Sequence, residues 1–84
     1  MELYELMPTD GTRKSFYGKA IVQLEDDGSK TLFSYMTPIA RRNQDGTLSK
    51  LYGKGPSQTT WRHIKAFAGI TRKEWDLLPL VKEA

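Results

Sequence analysis

Between Ser15 and Glu25 the chain alternates, with Phe16, Gly18, Ala20, Val22 and Leu24 on one face and Tyr17, Lys19, Ile21, Gln23 and Glu25 on the other. A period of two over that length predicts a half-buried strand across 15–25, in which Gly18 marks a bulge or a close packing contact. Glu2 to Met7 alternates more weakly and is stopped by Pro8-Thr9-Asp10-Gly11, which predicts a strand over 2–7 followed by a turn. Asp26-Asp27-Gly28-Ser29 reads as a hairpin turn, Gly28 supplying the positive φ. The next strand, over 30–42, sets Leu32, Ser34 and Met36 against Thr31, Phe33 and Tyr35. It kinks at Pro38, which has no donor to give a ladder, and runs on into Ile39-Ala40-Arg41-Arg42. Asn43-Gln44-Asp45-Gly46 turns the chain into a strand over 47–52, and Gly53-Lys54-Gly55-Pro56 releases it from the sheet.

The pattern then changes period. Trp61, Ile64 and Ala68 recur at helical spacing with Phe67 beside them, while Gln58, Arg62 and Lys65 point elsewhere. Ser57, Thr59 or Thr60 can cap the start, and Gly69 is the left-handed stop, so a helix is predicted over 57–69. Thr71-Arg72-Lys73-Glu74 matches a capping box and opens a short helix over 71–79, with Trp75 and Leu78 as its apolar side, Leu77 as a further candidate, and Pro79 at its end. The tail beyond Leu80 is expected to fray. The expected fold is α+β in a single domain spanning 1–84. An antiparallel sheet of four or five strands forms a hairpin meander, and the main helix packs on one face through Trp61, Ile64, Phe67 and Ala68.

Composition narrows the chemistry. With 84 residues and no cysteine, neither disulfides nor thiolate zinc sites support the small core, which must come from aromatic and aliphatic packing. Neither a signal-peptide pattern nor an apolar run near the ~18 residues of a membrane span is present, so a soluble cytoplasmic protein is expected. His63 is the lone histidine, which leaves no Cys-His pair and no multi-histidine metal centre. Ser57 or Ser34 could be imagined as a nucleophile beside His63, but no motif positions an acid. The simpler reading of His63 is a half-buried side chain hydrogen-bonded at the sheet edge. The Asp-Gly turns lack the spaced oxygen ligands of a calcium loop. Gly53-Lys54-Gly55 lacks the rest of a phosphate loop, although it precedes a helix N-terminus. No enzyme, cofactor or metal is expected.

Charge is unevenly placed. The total is +3, but residues 37–73 hold Arg41, Arg42, Lys50, Lys54, Arg62, Lys65, Arg72 and Lys73 against Asp45 alone, a local +7, while 1–36 and the tail from Glu74 each come to −2. Such asymmetry points to an anionic partner. Arg41, Lys50, Lys54, Arg62 and Lys65, with Tyr35 and Tyr52 as aromatic candidates for stacking, form the expected binding set for nucleic acid. That surface requires the solvent side of the helix to face the same way as Lys50 and Arg41. An acidic host or defence protein would suit the same charges, and the oligomeric state is left open.

Three blocks resemble a family of small proteins from phages and Gram-positive bacteria. They are Ser15-Phe16-Tyr17-Gly18-Lys19-Ala20, Ser34-Tyr35-Met36-Thr37-Pro38-Ile39-Ala40, and the helix segment from Ser57 through Thr59, Thr60, Arg62, His63 and Ile64 to Phe67. The similarity covers about Arg13 to Gly69, and Thr71 to Leu80 reads as an addition. Since that family has no assigned activity, the resemblance implies only a phage or mobile-element origin and a stoichiometric role, either nucleic-acid binding or inhibition of a host protein. Its shared residues can equally be structural: Thr60 as a cap, Ile64 and Phe67 with Trp61 as core, and Arg62 and His63 as partners for strand carbonyls or Tyr35.

Overall fold

The structure is a computed structural model that describes residues 2–7, 16 and 18–81. The element order is β1 (Glu2–Glu5), β2 (Ala20–Leu24), β3 (Lys30–Ser34), β4 (Thr37–Arg42), β5 (Leu48–Lys50), α1 (Gln58–Ala68) and α2 (Arg72–Leu77). The five strands form one antiparallel meander in sequence order, with α1 packed over β3 and β4. The expected turn at 8–11 and the start of the 15–25 strand fall mostly outside the described residues. Within them, Gly18 sits in a turn at φ 74°, closed by Lys19 N–H donating to the Phe16 carbonyl, so β2 begins at Ala20.

Two hairpin turns share one chemistry. Gly28 at φ 93° and Gly46 at φ 91° supply the left-handed residue, and the acid before each accepts twice from the residue after it. Asp27 Oδ1 takes Ser29 N–H and Oγ–H at 2.8 and 2.7 Å, and Asp45 Oδ1 takes Thr47 N–H and Oγ1–H at 3.0 and 2.6 Å. Both carboxyls are held below their ordinary value of 3.8, chiefly by these side-chain hydrogen bonds. A depressed folded pKa gives stability that is present above 3.8 and lost as pH falls below it. Acid titration followed by circular dichroism should therefore show Asp27→Asn/Asp45→Asn losing less stability than wild type below that value.

The expected 30–42 strand is two strands. Tyr35 and Met36, at φ 51° and 68°, form a two-residue hairpin turn of the mirror-image type that normally selects Gly or Asn, and Ser34 pairs with Thr37 across it. Pro38 contributes a bulge rather than a bend in a continuous strand. Leu32 pairs with Ala40 while Phe33 pairs with Pro38, leaving Ile39 as the extra residue, so the consecutive Ile39 and Ala40 are both in the core. The two left-handed side chains cost about 1–2 kcal/mol each. Met36 is 89% exposed and gives up little packing, so Met36→Gly should raise stability by about 0.5–1 kcal/mol in urea unfolding.

Register divides the sheet into two faces. Val22, Leu32 and Ala40 lie in one cross-strand row beneath α1 and join Ala20, Ile39, Ile64, Phe16 and Trp75 in the core. Ile21 and Phe33, with Leu3 and Gln23, occupy the opposite face. Ser57 is the N-cap of α1, its Oγ accepting from Thr60 N–H, and Gly69 ends the helix at φ 68°. The buried face of α1 is Thr60, His63 and Ile64, with Trp61, Phe67 and Ala68 half-buried at its flanks. The expected stripe of Trp61, Ile64 and Ala68 is thus rotated, because two polar residues find partners on β3. The capping box of α2 forms as expected between Thr71 and Glu74. Trp75 is 2% exposed and Leu78 half-buried, whereas Leu77 is 78% exposed. The helix stops at Leu77, and Pro79, Leu80 and Val81 then run beside β5. Lys50 N–H donates to the Pro79 carbonyl and Val81 N–H to the Lys50 carbonyl, so the chain is tied down as far as Val81.

Candidate nucleic-acid interface

The sheet period splits the expected basic surface. Lys50 pairs with buried Ala40 and shares its face, whereas Arg41 pairs with Ser49 and lies on the other side, its Nε donating to Thr31 Oγ1 at 3.5 Å. Arg41 and Lys50 therefore cannot serve one binding face. Lys50 reaches over the Trp75 ring, 5.7 Å from its centroid, and donates to the Asp76 carbonyl at 3.4 Å. Arg42 is bound in place too, donating to the carbonyls of Gly46 at 3.0 Å and Ala68 at 3.5 Å. Tyr52, expected as an exposed stacking residue, is half-buried against the core.

What the fold does assemble is a groove where α1 meets the start of α2. Trp61, Ile70 and Gly69 form its floor, and Lys65, Thr71 and Arg72 its walls, around about 520 Å³. Trp61 and Lys65 come together because they are i and i+4 on α1. Arg72 joins them through the Gly69–Thr71 connection, and its guanidinium lies 5.6 Å above the Trp61 ring centroid. A side chain at Gly55 would stand 3.4 Å from the Arg72 guanidinium, so the Lys54-Gly55 segment runs against the same group. Arg72 also meets Asp76 at 3.5 Å, an exposed i,i+4 pair of the kind worth only about 0.3–0.5 kcal/mol, which an incoming phosphate can displace. Arg62 is half-buried and does not line the groove. Of the expected basic set, only Lys65 lines the groove. Arg72 was missing from that set because only tertiary packing brings it onto Trp61, eleven positions away in sequence.

A second cluster lies beneath the Tyr35 turn. Ser34 Oγ is 2.8 Å from His63 Nδ1 and 3.1 Å from Thr60 Oγ1. The His63 ring meets Phe16 edge-on at 4.5 Å and Tyr35 at 5.8 Å, and Lys19 Nζ stands 5.7 Å over Tyr35. His63 is therefore fully buried over central strand β3 and not half-buried at a sheet edge. The Ser34–His63 distance is that of a nucleophile and base. However, both side chains are at most 2% exposed, and the third member, Thr60, bonds the Ser34 hydroxyl and not the imidazole that a carboxylate would have to orient. Among the described residues, no three His, Cys, Asp or Glu side chains are grouped to hold a metal ion, and no helix is long and apolar enough to cross a membrane.

All three resemblance blocks meet at this cluster, through Phe16 and Lys19, Ser34 and Tyr35, and Thr60 and His63. The chain belongs to a family described as one of unknown function (DUF8033), whose model matches residues 4–76. That span takes in most of α2, so the second helix is part of the family pattern and not an addition after Gly69. No curated protein and no solved structure matches the chain.

Proposed function

We propose that this family member is a non-catalytic binding module that takes single-stranded nucleic acid in the Trp61–Lys65–Arg72 groove. The observation that carries the reading is the convergence of Arg72, over the Trp61 ring, and Lys65 on one concavity of about 520 Å³. Cations neutralise phosphates, and an indole or a guanidinium plane accepts a stacked base, so the groove offers both halves of sequence-tolerant single-strand binding. Its concave form, within the ~300–1,000 Å³ of small-molecule sites, suits a splayed nucleotide better than the backbone of a duplex. A phage or mobile-element origin and a cytoplasmic setting are in keeping with such a role. Closure of the Ser34–His63 pair to solvent supports the non-catalytic part, and turnover that disappeared in His63→Ala with the fold intact would overturn it.

The experiment is titration of labelled single- and double-stranded DNA at near-physiological salt, beside a lysate pulldown with and without nuclease. Wild type should bind the single strand more tightly, and Lys65→Ala/Arg72→Ala should lose at least about tenfold in affinity, the equivalent of ~1.4 kcal/mol. No DNA binding, with protein partners retained after nuclease, would replace this reading with that of a stoichiometric inhibitor of an acidic host protein.

A further inference from the structure

The two edges of the sheet are treated differently. At β5 the outer edge is occupied by Pro79–Val81, through the two backbone hydrogen bonds to Lys50. At β1 no described residue pairs along the outer edge, and Glu2, Leu3, Tyr4 and Glu5 are all exposed. Leu6 N–H donates inward to the Ala20 carbonyl. Because antiparallel strands alternate between inward and outward groups, Tyr4 and Glu2 also bond toward β2, while the N–H and C=O groups of Leu3 and Glu5 point away from the sheet. β1 holds no proline or lysine, and the only charges on this four-residue edge strand are those of Glu2 and Glu5.

Beside that edge lies a mainly apolar trough of about 540 Å³ on the sheet face away from the helices, lined by Leu3, Ile21, Gln23, Phe33, Tyr35 and Met36, with Gly18 and Lys19 at the same site and Lys19 Nζ held 5.7 Å over the Tyr35 ring. Leu3 and Met36 are 63% and 89% exposed. At its far end, the Tyr35-Met36 turn holds two large side chains in the left-handed conformation that Gly would adopt without strain. Bulky residues kept in a strained, exposed turn are a feature of recognition sites.

We propose that β1 receives an extended peptide segment of a protein partner as a sixth strand, with basic residues flanking an apolar pair. The apolar residue facing Leu3 enters the trough, and the flanking cations meet Glu5 and Glu2. Charge complementarity selects this occupant. The Glu5 carboxylate is fixed at the edge, its Oε1 accepting from Gly18 N–H at 2.9 Å. A second copy of the chain is a poor match, because residues 1–7 contain no Lys or Arg and no register of β1 on β1 can put a cation opposite Glu5. The Leu3 and Glu5 backbone groups supply the affinity of strand addition, and the alternation of cation and apolar residue supplies its selectivity.

The test uses the full chain and a fluorescein-labelled peptide containing Gly-Arg-Val-Ile-Arg-Gly. Three further peptides carry Glu in place of both Arg, an N-methylated Ile, or an N-methylated Val. Strand addition predicts saturable binding and slowed hydrogen exchange at the Leu3 and Glu5 amides. The charge-reversed peptide and whichever N-methyl peptide blocks a ladder hydrogen bond should each be weaker by at least about tenfold. Met36→Gly, which removes the trough's end wall without unfolding risk, should weaken the parent peptide in the same direction. Equal binding by all four peptides, or unchanged exchange at Leu3 and Glu5 when the peptide is bound, would overturn the proposal. So would protection of those amides by self-association of the free protein.

Discussion

Trp75→Ala is expected to remove about 3–5 kcal/mol of stability, the range for truncating a buried aromatic side chain. For a domain this small, whose total stability is of the order of 5–15 kcal/mol, that is a large share of the whole. The reason lies in α2, which is only six residues long and so has little helical stability of its own. Trp75 is its one buried residue, and the ring also lies under Lys50. Losing it should release α2 together with the Pro79–Val81 segment that covers the β5 edge. Trp61→Ala should cost less, about 1–2 kcal/mol, because that ring is half-buried and its outer face meets Arg72. Urea unfolding followed by far-ultraviolet circular dichroism ranks the two, and a larger loss for Trp61→Ala would show that the core is misassigned.

The second large effect is expected at His63. His63→Ala empties a site that is 1% exposed and packed on Phe16 and Tyr35, with an expected loss of about 3 kcal/mol. Ser34→Ala has a different cost, about 1–3 kcal/mol, because it withdraws the hydroxyl that both His63 Nδ1 and Thr60 Oγ1 engage. Since the two substitutions break one shared hydrogen bond, their effects should not add. A double-mutant cycle is expected to return a coupling of about 0.5–3 kcal/mol. Additive losses would mean that the buried contact contributes nothing specific to the fold.

The hairpins at Gly28 and Gly46, the capped start and glycine stop of α1 and the Thr71–Glu74 box were all legible in the sequence, because each is written in residues a few positions apart. The Tyr35-Met36 turn was not. Nothing local announces that two bulky residues will take positive φ, and Pro38 two positions later suggested a kink in one long strand. Helical periodicity placed Trp61 at the centre of the α1 interface, since hydrophobicity alone cannot foresee that Thr60 and His63 will satisfy their polar atoms against Ser34. The groove was half visible. Lys65 stands one turn from Trp61 on the same helix, but Arg72 reaches it only through a chain reversal at Gly69. The division of Arg41 from Lys50 follows from strand parity once their register is known, and the sequence alone does not supply that register.

Salt dependence of single-strand binding addresses the groove most directly. Each phosphate neutralised contributes a slope of roughly −0.7 to log K against log salt for single strands. If Lys65 and Arg72 each hold a phosphate, fluorescence anisotropy over a salt series should show Lys65→Ala/Arg72→Ala with a slope shallower than wild type by about 1.4. Arg41→Ala, on the opposite face of the sheet, should leave the slope unchanged. A wild-type slope that survives in the double variant and falls in Arg41→Ala would contradict the assignment and move the interface to the open face of the sheet.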